Sequence, residues 1–223
     1  MKRKELFVSV LAVIFAFVAE SNAQVHYIVE GGYALTANYS PSPSLRAPMH
    51  GAQAAFMVDY RFQSQPLLGI QAGLGYRFAY SVTDYEGQRP LNYPNTYYGV
   101  MYHYEVMDHA ILLPVRLSIN FDVNDWTFKL LTGPKFSYHF GKSQYYAEAI
   151  SGTGQGWGKA DLGMNYIPFD CSWGVGLGVE YKHLYMEVMF DMGLFNRVRR
   201  NSETYNTNTY SSRDFTFMVG YRF

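Results

Sequence analysis

The last eleven residues, Arg213-Asp214-Phe215-Thr216-Phe217-Met218-Val219-Gly220-Tyr221-Arg222-Phe223, alternate with a period of two. Phe215, Phe217, Val219, Tyr221 and Phe223 share one side, and Asp214, Thr216, Met218, Gly220 and Arg222 the other. That is a strand with one greasy face and one mixed face. Seven earlier stretches repeat the pattern, and none of their apolar-face positions carries a charge. A soluble sheet must cover such a face with the rest of its fold, and little chain is left over to cover eight. A sheet closed on itself, with the greasy face against lipid, satisfies all of them together.

In order, the earlier stretches begin with Val25 to Tyr39, where Tyr27, Val29, Gly31, Tyr33 and Leu35 face outward. Ala52 to Arg61 places Phe56, Val58 and Tyr60 outward against Gln53, Met57, Asp59 and Arg61. Leu68 to Phe78 sets Ile70, Leu74 and Tyr76 against Gln71, Gly73, Gly75 and Arg77. Ile111 to Phe121 opposes Leu113, Val115 and Leu117 to Pro114, Arg116, Ser118 and Asn120. Trp126 to His139 opposes Phe128, Leu130 and Tyr138 to Lys129, Gly133, Lys135 and His139. Trp173 to Tyr181 sets Val175, Leu177 and Val179 against Gly174, Gly176, Gly178 and Glu180. Across Lys182-His183 the apolar set switches from odd to even numbers, which is the parity change of a two-residue hairpin. Leu184 to Met192 then opposes Met186, Val188 and Phe190 to Tyr185, Glu187 and Asp191.

The connections alternate in length. Ser40-Pro41-Ser42-Pro43-Ser44, the Tyr-rich Ser81 to Asp108, the Gly-rich Ser151 to Gly158 with its continuation to Tyr166, and Asn196 to Ser212 are long and polar. Gln63 to Pro66, Asp122 to Asp125 and Lys182-His183 are short. Long loops outside the cell and tight turns in the periplasm are the asymmetry of outer-membrane barrels. The expected fold is therefore all-β: an eight-stranded antiparallel transmembrane up-and-down β-barrel. The chain also closes on Phe223, which resembles the carboxyl-terminal signal read by the barrel-assembly machinery. Outer-membrane lipid and lipopolysaccharide are the other expected contacts.

Ahead of the barrel, Met1-Lys2-Arg3-Lys4, the apolar Leu6 to Ala19 and the small residues Ser21-Asn22-Ala23 compose a secretory signal peptide. The domain reading is residues 1–23 signal peptide and 24–223 outer-membrane barrel, exported to the bacterial outer membrane. With 18 basic against 18 acidic residues, the chain has no charge excess to attract nucleic acid. Aromatic residues make up 18%, with 21 Tyr, which suits long boundaries between apolar and wet surroundings. The single cysteine, Cys171, has no partner for an internal disulfide and reads as a small apolar filler.

On the inner face, Glu30, Asp59, Glu180, Glu187 and Asp191 accompany Arg61, Arg77, Arg116, Lys129, Lys135 and Arg222. Eight strands leave room only for side chains, so these groups are expected to pair and plug the lumen. The inner glycines make room for long side chains. Pro114 and Pro134 lack the N–H that a ladder needs, so a local bulge is expected there. His103, Glu105, Asp108 and His109 are the candidates for chemistry at the outer rim, because a His–carboxylate pair serves as a general base. No Ser or Cys stands at a telling spacing, and two histidines six positions apart make no metal-ligand pattern. The expectation is no catalytic, metal or cofactor residue, and no enzyme. The aromatic stretch from Tyr93 to Tyr104 either binds a partner or the lipopolysaccharide surface, or prolongs its two strands above the membrane.

Four stretches resemble the PorT-type outer-membrane β-barrel domain family. They are Ile111-Leu112-Leu113-Pro114-Val115-Arg116-Leu117, Gly133-Pro134-Lys135-Phe136-Ser137-Tyr138, Trp173 to Tyr181 and Val219-Gly220-Tyr221-Arg222-Phe223. The resemblance accounts for both prolines, since such chains place one within an aliphatic strand and a Gly-Pro pair in the next. It implies no catalytic residues. It also implies a structural or interaction role whose sharpest version is an accessory of a protein-secretion system, with secretion-system proteins as partners. The competing readings are a surface-binding (adhesin-like) barrel, a narrow pore, and a rim-located lipid- or peptide-processing enzyme.

Overall fold

A computed structural model describes residues 24–39, 48–90, 97–140, 142–149, 158–161, 167–197 and 211–223. For residues 24, 38–39, 85–90, 97–104, 142–149 and 158–161 it describes the backbone alone. The proposed signal peptide, the Ser40–Ser44 loop and most of the Gly-rich and Asn196–Ser212 loops lie outside these residues.

Ten strands follow one another among the described residues: β1 (Gln24–Tyr39), β2 (Met49–Arg61), β3 (Leu68–Pro90), β4 (Tyr97–Val123), β5 (Trp126–His139), β6 (Lys142–Ala149), β7 (Gly158–Asp161), β8 (Phe169–Tyr181), β9 (Leu184–Gly193) and β10 (Ser211–Arg222). Every pairing is antiparallel. The order β3-β2-β1-β10-β9-β8-β5-β4, with β3 also paired to β4, closes eight of them into a barrel. The expected outer and inner faces are the observed ones: Leu74 and Leu177 are each 60% exposed, whereas Lys129 and Arg77 are each 1% exposed.

Two short turns obey the hairpin rule. Val123 pairs Trp126 across Asn124-Asp125, tighter than the expected four-residue turn, and Tyr181 pairs Leu184 across Lys182-His183. Asn124 and Lys182 take positive φ, 55° and 56°. Asn tolerates that conformation, but a Lys pays roughly 1–2 kcal/mol for it. Lys182→Gly removes this cost and loses part of the gain to unfolded-state entropy. The expected net stabilisation is about 0.5–1 kcal/mol, read as a higher urea midpoint in lipid vesicles; no change would mean the turn is unstrained.

The expected bulge at the prolines is absent. The β4–β5 ladder keeps one register from Ala110↔His139 through Pro114↔Lys135 and on from Leu117↔Thr132 to Val123↔Trp126. The β3–β4 ladder likewise resumes in register at Gly75↔Leu112 after Ala72↔Val115. Each proline costs ladder bonds locally without an inserted residue. Gly133 absorbs the distortion beside Pro134 with φ 157°, and a Cβ there would strike the Val115 carbonyl.

The polar stretch from Ser81 to Asp108 is largely strand. The β3–β4 ladder continues past the barrel to Pro90↔Tyr97. β6 pairs β4 over Val100 to Met107, and β7 pairs β6. Because β2 joins β3 no further than His50↔Tyr80, the segment beyond Tyr80 stands clear of the barrel as part of a sheet of β3, β4, β6 and β7.

Candidate functional site: the ion-paired lumen and the projecting sheet

The inner face is a stack of charge clusters, each drawing its members from strands far apart in the chain. Nearest the short turns, Lys129 Nζ lies 2.5 Å from Asp59 Oδ2 and 3.3 Å from Glu180 Oε2. Arg222 closes the cluster on Glu180. Arg61 Nη1 is 3.2 Å from Asp122, at the barrel's edge. Asn120 donates to Ser118 Oγ at 3.3 Å.

At the waist, Arg116 Nη1 donates to both oxygens of Glu187, at 2.7 and 2.9 Å, and the Tyr185 hydroxyl donates to Oε2 at 2.9 Å. Buried Ile28, Ala55, Met57 and Tyr185 form an apolar cluster beside it. Glu30 is 3% exposed, and its carboxylate oxygens accept no hydrogen bond from any described residue. The glycines make room as expected, though partly for methionines: a Cβ on Gly73 would meet Met57 Sδ, on Gly176 Met189 Sδ, and on Gly174 the Asp191 carboxylate.

Toward the long-loop end, Lys135 Nζ bridges Asp191 and Asp214, both at 2.7 Å. Arg77 reaches Asp214 at 2.7 Å and Asp108 at 3.4 Å. His139 Nδ1 lies 2.8 Å from Asp108 Oδ2, and its Nε2 3.1 Å from Ser137 Oγ. Ser212 donates to Asp170 Oδ2 at 2.6 Å. Carboxylate, imidazole and hydroxyl thus stand in the sequence that activates a serine nucleophile. All three residues are buried, however, and Asp108 is also tied to Arg77. Here the arrangement holds β4 to β5.

The rim candidates are not brought together. Asp108 faces inward, whereas His109 faces outward with its ring stacked on Phe140 at 5.7 Å and its Nδ1 2.6 Å from the Tyr76 hydroxyl. Glu105 accepts from Tyr80 at 3.0 Å on the outer face. His103 belongs to the part of β4 described by its backbone alone. No group of three metal-binding side chains occurs among the described residues. Sequence reasoning missed the Asp108–His139 pair, although strand parity puts both on the inner face.

Outside, aromatic rings collect at two levels. Trp126 packs on Tyr181 at 4.5 Å and Tyr221 on Phe223 at 4.9 Å near the short turns. Tyr33 with His50, Tyr76 with His109, and Phe136 with Phe169 mark the other level. Leu74, Leu113, Leu130, Val175 and Val188 lie between. An apolar band between two aromatic girdles is how a barrel meets a bilayer. The sequence pattern of the family described as outer membrane protein beta-barrel domain matches residues 19–199. The chain belongs to that family. The β3–β4–β6–β7 sheet lies at the end of the barrel opposite the short turns.

Among solved structures, this outer membrane protein beta-barrel domain is similar to Ail, the attachment invasion locus protein of Yersinia pestis, crystallised with the heparin analogue sucrose octasulfate. Identity is 12%, the match covers 90% of this chain and 99% of Ail, and the TM-score is 0.42. Neisserial surface protein A matches at 13% identity over 91% of this chain and all of that one (100%), TM-score 0.37. The outer membrane protease OmpT of Escherichia coli matches at 11% identity, 92% and 97% coverage, TM-score 0.36. No curated protein matches this sequence.

Proposed function

We propose that this outer-membrane barrel is a non-enzymatic interaction protein: a sealed anchor that presents its projecting sheet outside the cell. The ion-paired lumen carries the reading. Arg116–Glu187, Lys135 with Asp191 and Asp214, and Lys129 with Asp59 fill the inner face at three levels. Such pairs are costly to separate, so the barrel offers no ready path for solute. With the lumen filled and no accessible nucleophile among the described residues, its contribution is made by its surfaces. Residues 1–23 act as the cleaved export signal. The barrel-assembly machinery recognises the strand ending at Phe223, and lipid and lipopolysaccharide surround the girdles.

The test is conductance in planar bilayers together with a pull-down from detergent-solubilised outer membrane, tagged between Arg199 and Ser211. The expected result is electrical silence with co-purifying partners. Steady ion conductance would sink the reading. Secretion-system proteins in near-equal amount would support the accessory role of PorT-type barrels. The surface-binding version is favoured by the projection of β3 and β4 beyond the barrel, and recovery of the barrel without protein partners would support it.

A further inference from the structure

The buried carboxylates of the lumen are tied to donors, with one exception. Asp59 takes Lys129, Glu180 takes Arg222, and Asp191 and Asp214 share Lys135. Asp108 takes His139, Asp170 takes Ser212, and Glu187 takes Arg116. Among the described residues Glu30 alone has neither oxygen hydrogen-bonded, and it is 3% exposed. Near the short turns two cations, Lys129 and Arg222, meet two carboxylates, Asp59 and Glu180. At the waist one guanidinium, Arg116, faces both Glu187 and Glu30.

The strands beside Glu30 give it room but no donor. It pairs Ala55 on β2 and Gly220 on β10, where a Cβ would lie 2.9 Å from its own Cβ. The next inward residues are Met57 and Gln53 on β2, and Met218 and Arg222 on β10. Arg222 is committed to Glu180, and Gln53 Oε1 is itself a buried acceptor without a described partner. Across the lumen stand Arg116 of β4 and Glu187 and Tyr185 of β9. The Arg116 Nη1 and the Tyr185 hydroxyl are both spent on Glu187. A charge buried without a partner is strongly disfavoured, and so are two carboxylates sharing one site. A group in that position is neutral or it draws in water.

We propose that Glu30 is a proton-binding site that keeps the waist of the barrel sealed. The proposal rests on the sealed-anchor reading and says what holds the seal. With the proton bound, the waist is one guanidinium against one carboxylate. The carboxyl group also becomes a donor, in a place where the described residues supply only acceptors. In alkali the proton passes to hydroxide, leaving a carboxylate on Glu30 and a molecule of water. Two negative groups then compete for Arg116 beside the apolar Ile28, Ala55, Met57 and Tyr185. Water has to enter to solvate the second of them, and the seal loosens.

The experiment uses the barrel in nanodiscs, with carbon-13 in the side-chain carboxyl of every glutamate. Infrared spectra at neutral pH should show the isotope-shifted carbonyl band of a protonated glutamic acid, and alkali should abolish it. Glu30→Gln should lack the band. Glu30→Asp, with aspartate unlabelled, should remove it from the labelled spectrum while keeping an acid in place, which guards against a Gln variant that fails to fold. In planar bilayers the unaltered barrel should be silent at neutral pH and pass current in alkali, and Glu30→Gln should stay silent in both. No protonated-glutamate band at neutral pH, a band that survives both substitutions, or equal alkaline currents with and without Glu30 overturns the proposal. Current at neutral pH defeats the sealed-anchor reading instead, whereas the infrared band is read without any current and is judged separately.

Discussion

Arg116→Met is expected to destabilise the barrel by about 3–5 kcal/mol, the cost of stranding a buried charge after its partner is removed. The guanidinium holds both oxygens of Glu187, and Glu30 lies buried at the same waist with no hydrogen-bond partner among the described residues. Without Arg116, two carboxyl groups share an apolar neighbourhood of Ile28, Ala55, Met57 and Tyr185. They must then either take up protons or draw in water. Arg116→Met with Glu187→Met should recover most of the loss, because it removes both charges and keeps comparable volume. Urea unfolding in lipid vesicles, followed by the heat-modifiable gel shift, measures both proteins. A single-variant cost below about 1 kcal/mol would mean that the waist is already hydrated. The sealed-lumen reading would then fall with it.

Val175→Arg carries the second large effect, about 2–4 kcal/mol. Val175 lies midway along the outer face of β8, between Phe169 and Tyr181, and is 54% exposed. Val82→Arg makes the same change on the same outer face of β3, beyond the last β2 pairing at Tyr80. There the expected cost is about 0–1 kcal/mol, as for a charge near the interface. The difference between the two locates the membrane boundary. Equal costs would show that the apolar band does not end where the aromatic girdle places it.

The lipid-facing surface could be read from the chain because each outward residue answers to one local condition, the absence of charge at period two. Even the Lys182-His183 hairpin follows from a parity switch. The interior could be read only half-way. Parity places Arg116 and Glu187 inside, but nothing local says that residues 71 positions apart will meet. Asp108 and His109 invite pairing because they are neighbours in sequence, yet neighbours in a strand face opposite ways, and the partner of Asp108 is His139 on the next strand. The projecting strands are legible only as one of two alternatives, the prolongation of two strands by Tyr93 to Tyr104, and for a different reason. From Ser81 onward charges such as Asp84 and Glu105 enter the outer positions, and a rule that looks for a greasy outer face takes this as a loop. The ladder in fact continues in the same register to Pro90↔Tyr97. At the prolines, the missing donors are clear in the sequence, while the absence of a bulge depends on the neighbouring strands holding register around them.

The seam that completes the barrel joins its first strand to its last, from Ile28↔Arg222 to Tyr39↔Ser211. No hydrogen-bonded ring can therefore exist until β10 has been made. Until that moment β1 presents an open edge, and an open edge pairs with any extended chain that reaches it. The alternation that suits this polypeptide to lipid makes it hazardous in water before closure. Its passage across the periplasm is thus a race between aggregation and a single late pairing event, in which β10 acts as the latch.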